Sequence, residues 1–350
     1  MGNTAFSASS NHITTFTFRT HQATLKADQI EGSEMSRSQT SEMLLGALVS
    51  DAACLGLHWI YDAERIAEIT ARHDGKCAFA PVDAANFEGV LGYFAHGGRH
   101  SGMLTQYGEV LRLAIQSMNA NNGAFDVDAY QAAFVAHFGP GGTYQGYIDR
   151  PTRAALDNIA AEKFPSGIDD DQNPAVSRLP AILAKYHTAE NLPEMIKQSM
   201  QITNVNDAAA AYSAAFSDVL SRVMHNEPLG DALDAAAHSA DQSIKTELLD
   251  ALSTRDSNST DYAGLVGRAC HLPTAGPVMF HILKHSDSYR EAVERNILAG
   301  GDSAGRAILI GAIMGRVHGV ATPKGIPLSW TLQLDDARQI WQDCEQLAAS

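Results

Sequence analysis

The sequence is poor in aromatic residues and cysteines, and it has almost no alternating run of β-branched residues that would indicate a sheet. Phe, Trp and Tyr make up 7% of its 350 residues, and its four cysteines form no CxxC pair. Cysteines spaced this widely favour free, mostly buried thiols in a reducing compartment over a disulfide framework. Because alanine is abundant, we expect helices to dominate.

Basic residues are also scarce. There are 25 Lys and Arg against 40 Asp and Glu, which gives a formal net charge of −15. A chain this acidic is unsuited to nucleic acid or an anionic membrane surface, so we expect neither as a partner. The glycine-rich apolar stretch between Arg306 and Arg316 has nine residues, against about 20 for a membrane span. A small molecule carrying phosphate remains compatible with this charge.

Residues 1–37 differ from the rest of the chain. They are rich in Ser and Thr, lack an apolar periodic face and contain no acidic residue before Asp28. They have no hydrophobic core of a signal peptide, and Phe6 breaks the myristoylation pattern. We predict a disordered tail and a cytoplasmic location, with a weak organellar transit segment or a start at Met35 as alternatives. No linker interrupts residues 38–350, which are predicted to form one all-α domain.

Helical periodicity dominates the chain after the tail. In the first helix, apolar residues recur every three or four positions, on the face that also carries Asp51 and His58. Further helices are predicted over 103–118, 127–137, 192–202, 207–224, 229–239, 243–253, 275–285, 288–298 and 335–348. The polar segments predicted as loops are 80–101, 139–153, 163–180 and 254–262, the third of them as a solvated acidic turn.

Asp51 and His58 lie on a helix face that should be buried, and a buried carboxylate is costly unless it is paired or hydrogen-bonded. In one interpretation neighbouring N–H groups satisfy Asp51, and His58 is an ordinary hydrogen-bonded core residue. In the other, this helix end lines a polar cleft, with Trp59, Tyr61 and Asp62 as its aromatic rim. The sequence alone leaves both interpretations open.

Two further pairs at helical spacing are interpreted as structural. His281 and His285 are four residues apart, as zinc ligands can be, but no third ligand accompanies them, so a surface pair is predicted. Cys54 and His58 have the same spacing and could form a nucleophilic pair. Because Cys54 lies beside an apolar stripe, a buried structural thiol is favoured.

The stretch 299–319, AGGDSAGRAILIGAIMGRVHG, combines a helix stop with a helix cap. Gly300 and Gly301 can end one helix, and Asp302 can cap the next. The carboxylate of Asp302 and the free N–H groups of the new helix would then face the same space, which could hold an ion. A plain stop and cap is the simpler interpretation of the same residues.

The helix that follows carries glycines at intervals of four, Gly311, Gly315 and Gly319. This spacing places them along one face. Without side chains there, the backbone of another helix can approach closely, as it does at small-residue interfaces. The spacing therefore predicts a tight helix–helix contact within the core.

Three separated strings resemble the ADP-ribosylglycohydrolase family, and more closely its divergent branch that includes a lens crystallin. They are GALVSDAACLGLHWIYD (46–62), DDQNPAVSRLPAI (170–182) and the stretch 299–319, in the expected order through most of 42–335. The resemblance implies an all-α bundle with a central cleft. It also implies hydrolysis of the bond between ADP-ribose and a protein side chain or small acceptor, usually with two magnesium ions held by carboxylates.

The resemblance transfers the family's metal ligands only in part. Asp302 matches the first acid of the C-terminal ligand motif and is the metal ligand that the resemblance implies. Ala304 and Gly305 occupy the next two ligand positions. Residues 102–105 read Gly-Met-Leu-Thr where the family has Thr-Asp-Asp-Thr, and His58 replaces a glutamate.

By resemblance, the catalytic residues would be Asp51, His58 and Asp302, in a retaining hydrolysis of an ADP-ribosyl or related nucleotide-sugar bond. The substrate-binding residues would be Trp59, Tyr61, Asp170, Asp171, Asn173 and Arg306. Arg306, one turn beyond Asp302, would contact a substrate phosphate or fix the Asp302 carboxylate. The alternative is a non-catalytic member, a ligand-binding or structural protein that retains the bundle and the cleft.

Overall fold

The computed structural model describes residues 1–2, 39–256 and 258–350. Within these ranges the chain forms helices and four isolated β-bridges, with no sheet. The all-α prediction is therefore confirmed. The prediction of a disordered tail over residues 1–37 lies, apart from the first two residues, outside the described residues.

The helices are numbered here in chain order. They are α1 (39–54), α2 (Ala63–Arg72), α3 (Gln106–Ala120), α4 (Val127–Phe138), α5 (Arg150–Ala160), α6 (Leu179–Tyr186), α7 (Leu192–Met200), α8 (Asp207–Met224), α9 (Leu229–Ser239), α10 (Gln242–Ser253), α11 (Ser259–Val266), α12 (Leu272–Lys284), α13 (Tyr289–Leu298), α14 (Ser303–His318), α15 (Leu328–Thr331) and α16 (Ala337–Ala349). A 3₁₀ turn, Leu55–Leu57, extends α1. The predicted bounds of α8 and α9 are confirmed, and the other predicted ends differ by up to three residues.

Three helices begin inside segments that were predicted as loops: α6 at the last two residues of 163–180, and α5 and α11 further from the ends of theirs. Asp149 caps α5 by accepting a hydrogen bond from the Thr152 N–H, and a proline follows in the first turn. Asn258 caps α11 in the same way. Polar caps and short lengths weaken the apolar periodicity in both places, so the loop predictions for 139–153 and 254–262 are wrong at their C-terminal ends.

The core is organised around α14, which is buried from Ser303 to Arg316. It crosses α1 at the glycine face predicted from the sequence. A Cβ at Gly311 would collide with the carbonyl oxygen of Gly46, and one at Gly315 would lie 2.6 Å from the Glu42 carbonyl oxygen. The predicted close approach of two helix backbones is confirmed.

By length and composition, one described helical segment, Gln39–Leu57, could cross a membrane. However, 89% of its apolar window is buried inside the protein. This degree of burial is typical of a core helix, and the pairing of α1 with α14 accounts for the apolar composition.

Replacing Gly311 with Ala is expected to lower the free energy of unfolding by at least about 2 kcal/mol, because the new methyl group meets a rigid backbone carbonyl. Chemical denaturation of the variant and of the wild type measures the difference. Gly230→Ala is the matched control, because a Cβ at Gly230 in α9 has nothing within 4 Å. The control should be unchanged or stabilised by up to about 1 kcal/mol. Equal effects at both positions would contradict the proposed contact.

The histidine pair on α12 was predicted to lie at the surface, and for His281 this is wrong. His281 is fully buried, and its ring contacts Ser259 Oγ at 3.1 Å and the Asp256 carbonyl oxygen at 2.9 Å. It also stacks on Tyr262. Because α11 covers this face of α12, the burial follows from a helix that the sequence did not reveal.

The cysteines behave as predicted. All four thiols are free; Cys54, Cys77 and Cys344 are buried, and Cys270 is half-buried. Burial raises the pKa of the Cys54 thiol well above its ordinary value, helped by the nearby charge of Asp51. A structural thiol at this position is therefore favoured over a nucleophile.

Candidate functional site

The turn between α13 and α14 positions Asp302. Gly300 and Gly301 both have positive φ, 74° and 66°, which only glycine adopts without strain. Asp302 is the N-cap of α14 and accepts a hydrogen bond from the Gly305 N–H at 3.3 Å. The predicted stop and cap are present. Asp302 is fully buried, however, so it is more than a surface cap.

The Asp302 carboxylate is surrounded by hydrogen-bond donors from distant parts of the chain. Oδ1 accepts from His58 Nε2 at 2.6 Å as well as from the Gly305 N–H. Oδ2 accepts from Asn173 Nδ2 at 2.7 Å and from Tyr107 Oη at 3.0 Å. The four donors occupy the lone-pair directions that a carboxylate offers. The fold thus brings together Asp302, His58 and Asn173, which the sequence proposed, and Tyr107, which it did not.

Asp302 is held as a carboxylate. Burial alone would raise its pKa, but the hydrogen bond and charge of His58, the hydrogen bond from Asn173 and the charge of Arg306 bring the pKa below its ordinary value. The Arg306 N–H donates to the Asp302 carbonyl oxygen at 3.3 Å, but no hydrogen bond joins the Arg306 guanidinium to the Asp302 carboxylate. Its guanidinium donates instead to Asn296 Oδ1 at 2.9 Å and to the Gly300 carbonyl oxygen at 2.6 Å. In this structure Arg306 supports the turn that carries Asp302.

A second histidine extends the contact between Asp302 and His58. His58 Nδ1 lies 2.8 Å from His96 Nε2, and His96 Nδ1 is buried with no hydrogen-bond partner among the described residues. Burial lowers the pKa of His96 well below its ordinary value, and the neighbouring His58 and Arg99 lower it further. His96 is therefore neutral. When His58 is neutral, its Nε2–H donates to Asp302 and its Nδ1 accepts from His96 Nε2–H, and this arrangement leaves a lone pair on His96 Nδ1.

The two histidine rings border a very small cavity. Its volume is about 10 Å³, close to the space that one water molecule needs. The residues that line it are His58, Trp59, His96, Thr105, Gln106, Tyr107, Tyr147 and Asp149. Pockets for small-molecule ligands usually measure 300 Å³ or more, so a nucleotide sugar does not fit while the cavity has this shape.

Trp59 and Tyr147 line the cavity and pack together with Tyr93; these three aromatic side chains are called here the aromatic cover. Trp59 packs on the His58 ring with centroids 4.4 Å apart. Tyr147 meets Trp59 edge-on at 4.9 Å, and Tyr93 lies 5.8 Å from Trp59. Trp59 has a φ of 69°, a strained value for a bulky residue. The sequence placed Trp59 at a cleft rim, and the structure places it in the wall of this small cavity.

Asp51 lies behind the cavity wall. Its two oxygens accept hydrogen bonds from the Thr105 N–H at 2.7 Å and from Thr105 Oγ1 at 2.5 Å. Burial raises the pKa of Asp51 to about 7, although both bonds from Thr105 oppose the rise. Thr105 lines the cavity and Asp51 does not. Asp51 therefore reaches the cavity only through Thr105.

In the acidic segment, one carboxylate is buried and the next is half-buried. Asp170 is buried and accepts from Arg150 Nη1 at 3.1 Å and from the Gln172 N–H at 3.0 Å. Asp171 is half-buried and pairs with His271 at 2.5 Å. The predicted solvated acidic turn is wrong for Asp170, because the segment packs against other parts of the chain. Neither carboxylate contacts the Asp302 carboxylate or lines the small cavity.

Tyr61 lies close enough to Asp302 to sense its charge. Burial raises the pKa of Tyr61, and the negative charge of Asp302 raises it further. The Tyr61 N–H donates to the Leu91 carbonyl oxygen at 2.9 Å, which ties this residue to the segment that carries Tyr93 and His96. Tyr61 thus borders the same region without lining the cavity.

The residues around Asp302 do not fit a magnesium pair. Magnesium needs several oxygen ligands in near-octahedral geometry, but both oxygens of Asp302 are already occupied by four donors. Among the described residues, no group of three or more His, Cys, Asp and Glu side chains is arranged to hold a metal ion. In the described part of the chain, Asp302 therefore does not have two further carboxylates, histidines or thiols with which to hold a metal ion.

Comparison with known proteins identifies the class. The family model for ADP-ribosylglycohydrolase matches residues 33–350, and the chain belongs to the ADP-ribosylglycohydrolase family. This family generally uses divalent metals, and the present site departs from that pattern.

Individual relatives and a solved structure agree with this assignment. Crystallin J1A of Tripedalia cystophora is 25% identical over 329 residues, covering 90% of this chain and 98% of the crystallin. Crystallin J1B of the same animal is 22% identical over 328 residues with the same coverage. A solved structure described as an ADP-ribosylglycohydrolase-related protein complex matches with a TM-score of 0.67 and 13% identity, over 90% of this chain and 98% of that one. This last match supports the fold alone.

His96 and Tyr107 are the functional candidates that the sequence did not identify. Tyr107 falls on the inner face of α3, where a core tyrosine is the ordinary expectation. His96 lies in a glycine-containing segment without periodicity, where spacing favours no partner. Only the folded structure brings them to His58 and Asp302.

Proposed function

We propose that this protein hydrolyses the glycosidic bond of an ADP-ribosyl or related nucleotide-sugar substrate without a magnesium pair. Family membership supports the reaction class. The observation that carries the proposal is the buried chain Asp302–His58–His96: His96 lines a cavity of about one water, and its Nδ1 has no hydrogen-bond partner among the described residues. A buried carboxylate–histidine pair is costly to retain for stability alone, and such perturbed groups concentrate at functional sites.

The proposed roles follow from the direction of the hydrogen bonds. A water in the cavity would lose a proton to His96 Nδ1 as its oxygen attacks the anomeric carbon. The glycosidic bond then breaks, and the leaving group keeps the electron pair and takes a proton from solvent. His58 would pass positive charge towards Asp302, whose carboxylate stabilises it. Asp302 and Asp51 act through His58 and Thr105, so both are positioning residues in this proposal.

Direct attack by water inverts the configuration at the anomeric carbon, whereas the family resemblance implies a hydrolysis that retains it. Retention needs a carboxylate free to attack carbon, and Asp302 has four donors on its two oxygens. We therefore propose an inverting displacement. The ionised Asp302 would still favour the oxocarbenium-like transition state through its negative charge.

The aromatic cover must open before a substrate can enter. Tyr93 is 57% exposed and lies in a segment without regular helix, between α2 and α3. Movements of such segments commonly gate enclosed sites. Once displaced, Trp59 and Tyr147 would offer apolar faces to a base or a ribose, in agreement with the substrate-binding role expected for Trp59.

Chelation of divalent metals is expected to leave turnover within about twofold of its untreated value. The assay follows release of ADP-ribose from ADP-ribosylated arginine, serine and a small acceptor, with excess EDTA or with added magnesium. A metal-dependent enzyme of the family serves as the control that EDTA must silence. Loss of turnover in EDTA, restored by magnesium, would refute the proposed metal-free site.

A non-catalytic role is the second candidate, and the small volume of the cavity is the observation that favours it. The similarity to two crystallins also fits a structural role. Calorimetric titration with ADP-ribose separates the candidates when it is read beside the turnover assay. Tight binding without turnover under any metal condition would establish the non-catalytic alternative.

A further inference from the structure

The turn that carries His96 is closed and anchored by Arg99. The Arg99 N–H donates to the His96 carbonyl oxygen at 2.9 Å, with two glycines between them. The Arg99 side chain is 3% exposed, and its Nη2 donates to Glu109 Oε1 on α3 at 2.7 Å. Because α3 also carries Tyr107, this buried ion pair ties the His96 turn to a helix of the Asp302 site.

The same guanidinium contacts the segment between α4 and α5. Its Cζ lies 4.8 Å from the centroid of the Tyr144 ring, and Nη1 is 3.5 Å from the Gln145 carbonyl oxygen. Tyr147 of the aromatic cover follows two residues later. Arg99 Nε is buried and has no hydrogen-bond partner in the described part of the chain. A buried ion pair with an unsatisfied nitrogen is weak evidence for a purely stabilising role.

Arg99 places a permanent positive charge near the His96 ring, because a guanidinium does not lose its proton in proteins. Glu109 is ionised as well. Burial would raise its pKa, but the contact with His137 and the charge of Arg99 hold that pKa below its ordinary value. Burial also lowers the pKa of His96, and Arg99 lowers it further in spite of the pairing with Glu109.

The other groups that act on His96 are His58 at the end of the 3₁₀ turn and Asp302 at the start of α14. The cavity that His96 lines is shared with three further titratable side chains, Tyr107, Tyr147 and Asp149. Of the groups that act on His96, only Arg99 and Asp302 carry charges of opposite sign. They belong to the two ends of the hydrogen-bonded chain, Arg99 to the His96 turn and Asp302 to the contact with His58.

These two charges favour proton transfer in one direction. A proton accepted at His96 Nδ1 makes that ring positive, in the field of the buried Arg99. Transfer of the other proton, from His96 Nε2 to His58 Nδ1, neutralises the His96 ring again. The positive charge then lies on the ring whose Nε2 is 2.6 Å from the Asp302 carboxylate, where the opposite charge stabilises it.

We propose that Arg99 is a positioning residue of the hydrolysis, which fixes the turn of His96 and favours the passage of the accepted proton to His58. This inference rests on the function proposed above. Arg99 acts through His96, and protons balance over the cycle. His96 gains one proton from the attacking water and gives one to His58, and His58 returns one to solvent as the leaving group takes one from it.

Arg99→Met combined with Glu109→Gln removes the buried pair without leaving an unpaired charge. In the wild type, the ¹⁵N shifts of His96 should be those of a neutral ring at pH 6. In the double variant they should titrate at higher pH, because the repelling charge is gone. Between pH 8 and pH 6, kcat/KM should stay within about twofold in the wild type and fall about tenfold in the double variant, since a protonated His96 accepts no proton.

Two single variants separate the charge of Arg99 from its role as a clamp. Arg99→Lys keeps the charge and should restore the wild-type pH dependence. Glu109→Gln breaks the same ion pair but keeps the positive charge, so His96 should stay neutral to at least as low a pH as in the wild type. The matched control is Arg222→Met with Glu227→Gln, at a half-exposed pair of 3.2 Å on another face of the protein, which should change neither readout.

Two results would overturn the role of Arg99. One is a His96 titration that is the same in the wild type and in the double variant; the other is a loss of kcat/KM at pH 6 in Glu109→Gln equal to that in the double variant. The ¹⁵N titration needs no turnover, so it distinguishes the two proposals. Turnover by the wild type with either of these results refutes the role of Arg99 alone, and absence of turnover in every form refutes the hydrolysis together with the reaction in which Arg99 acts.

Discussion

Asp302→Asn is expected to lower kcat/KM for ADP-ribose release about 10³-fold or more. An asparagine in this position offers one acceptor oxygen and an NH₂ group to four donors. If the NH₂ faces His58 Nε2, that nitrogen must become an acceptor and the ring proton moves to Nδ1. His58 Nδ1–H would then point at the N–H on His96 Nε2, and two N–H groups cannot bond to each other. The His96 ring would therefore move its proton from Nε2 to Nδ1, and the lone pair on His96 Nδ1 would be lost.

The matched control is Asp126→Asn. Asp126 is also a helix N-cap and accepts from the Ala129 N–H at 2.8 Å, and Asn caps a helix as well as Asp does. This variant should retain activity within about twofold. The ¹⁵N shifts of the imidazole rings give a readout that is independent of turnover. They should show Nε2 protonation of His58 and His96 in the wild type and the reversed tautomers in Asp302→Asn. Activity within tenfold of the wild type, or unchanged tautomers, would exclude the proposed chain of proton transfer.

His58→Gln should be as damaging as Asp302→Asn, and the double variant should be no worse than either alone. Residues that act as a unit show such non-additivity. If the two residues contributed independently, their fold-reductions in kcat/KM would multiply in the double variant. That result would mean that His58 and Asp302 do not act as a unit.

The sequence predicted the parts of the site that depend on local periodicity and capping. Asp51 and His58 were placed on a buried helix stripe, and both are buried, with exposures of 0% and 1%. The glycines of 299–319 predicted both the stop before Asp302 and the close contact with α1. These features are readable because a helix repeats every 3.6 residues and because glycine alone tolerates positive φ.

The parts that the sequence could not predict depend on contacts between distant segments. His96 is 38 residues from His58 and 206 residues from Asp302 along the chain, and nothing in its own segment selects those partners. The shape of the small cavity depends on how Trp59 and Tyr147 pack. The four donors around Asp302 come from separate elements, so their occupation of that carboxylate is a property of the fold.

Asp51→Asn is expected to change the pH dependence of stability by several kcal/mol. The pKa of Asp51 rises from its ordinary 3.8 to about 7 in the folded protein, chiefly because of burial. Between these values the folded chain keeps a proton that the unfolded chain has lost. The contribution of Asp51 to stability is therefore fully present below pH 3.8 and is lost as pH rises towards 7, by up to about 1.4 kcal/mol per pH unit.

Asparagine has nearly the same shape and does not titrate. Its oxygen can accept from the Thr105 N–H, and its NH₂ can donate to Thr105 Oγ1, so the two hydrogen bonds to Thr105 survive the change. The free energy of unfolding of the variant, minus that of the wild type, should therefore increase by about 2 kcal/mol between pH 5 and pH 7 and level off above pH 7. Urea denaturation at half-unit steps of pH measures this difference. Other groups titrate in both proteins and cancel in the subtraction.

Asp149→Asn should also increase the difference in free energy of unfolding between variant and wild type as pH rises, over a lower range of pH. Burial raises the pKa of Asp149 to about 6 against the hydrogen bonds from Thr152 and Gln106, so its difference should level off near pH 6, one unit earlier than that of Asp51. Asp126→Asn, at an exposed cap, should give a flat difference throughout. A flat difference for Asp51→Asn between pH 5 and pH 7 would mean that Asp51 is ionised in the folded chain. Thr105 would then donate to a full carboxylate at the cavity wall, and the positioning role proposed for Asp51 would have to be revised.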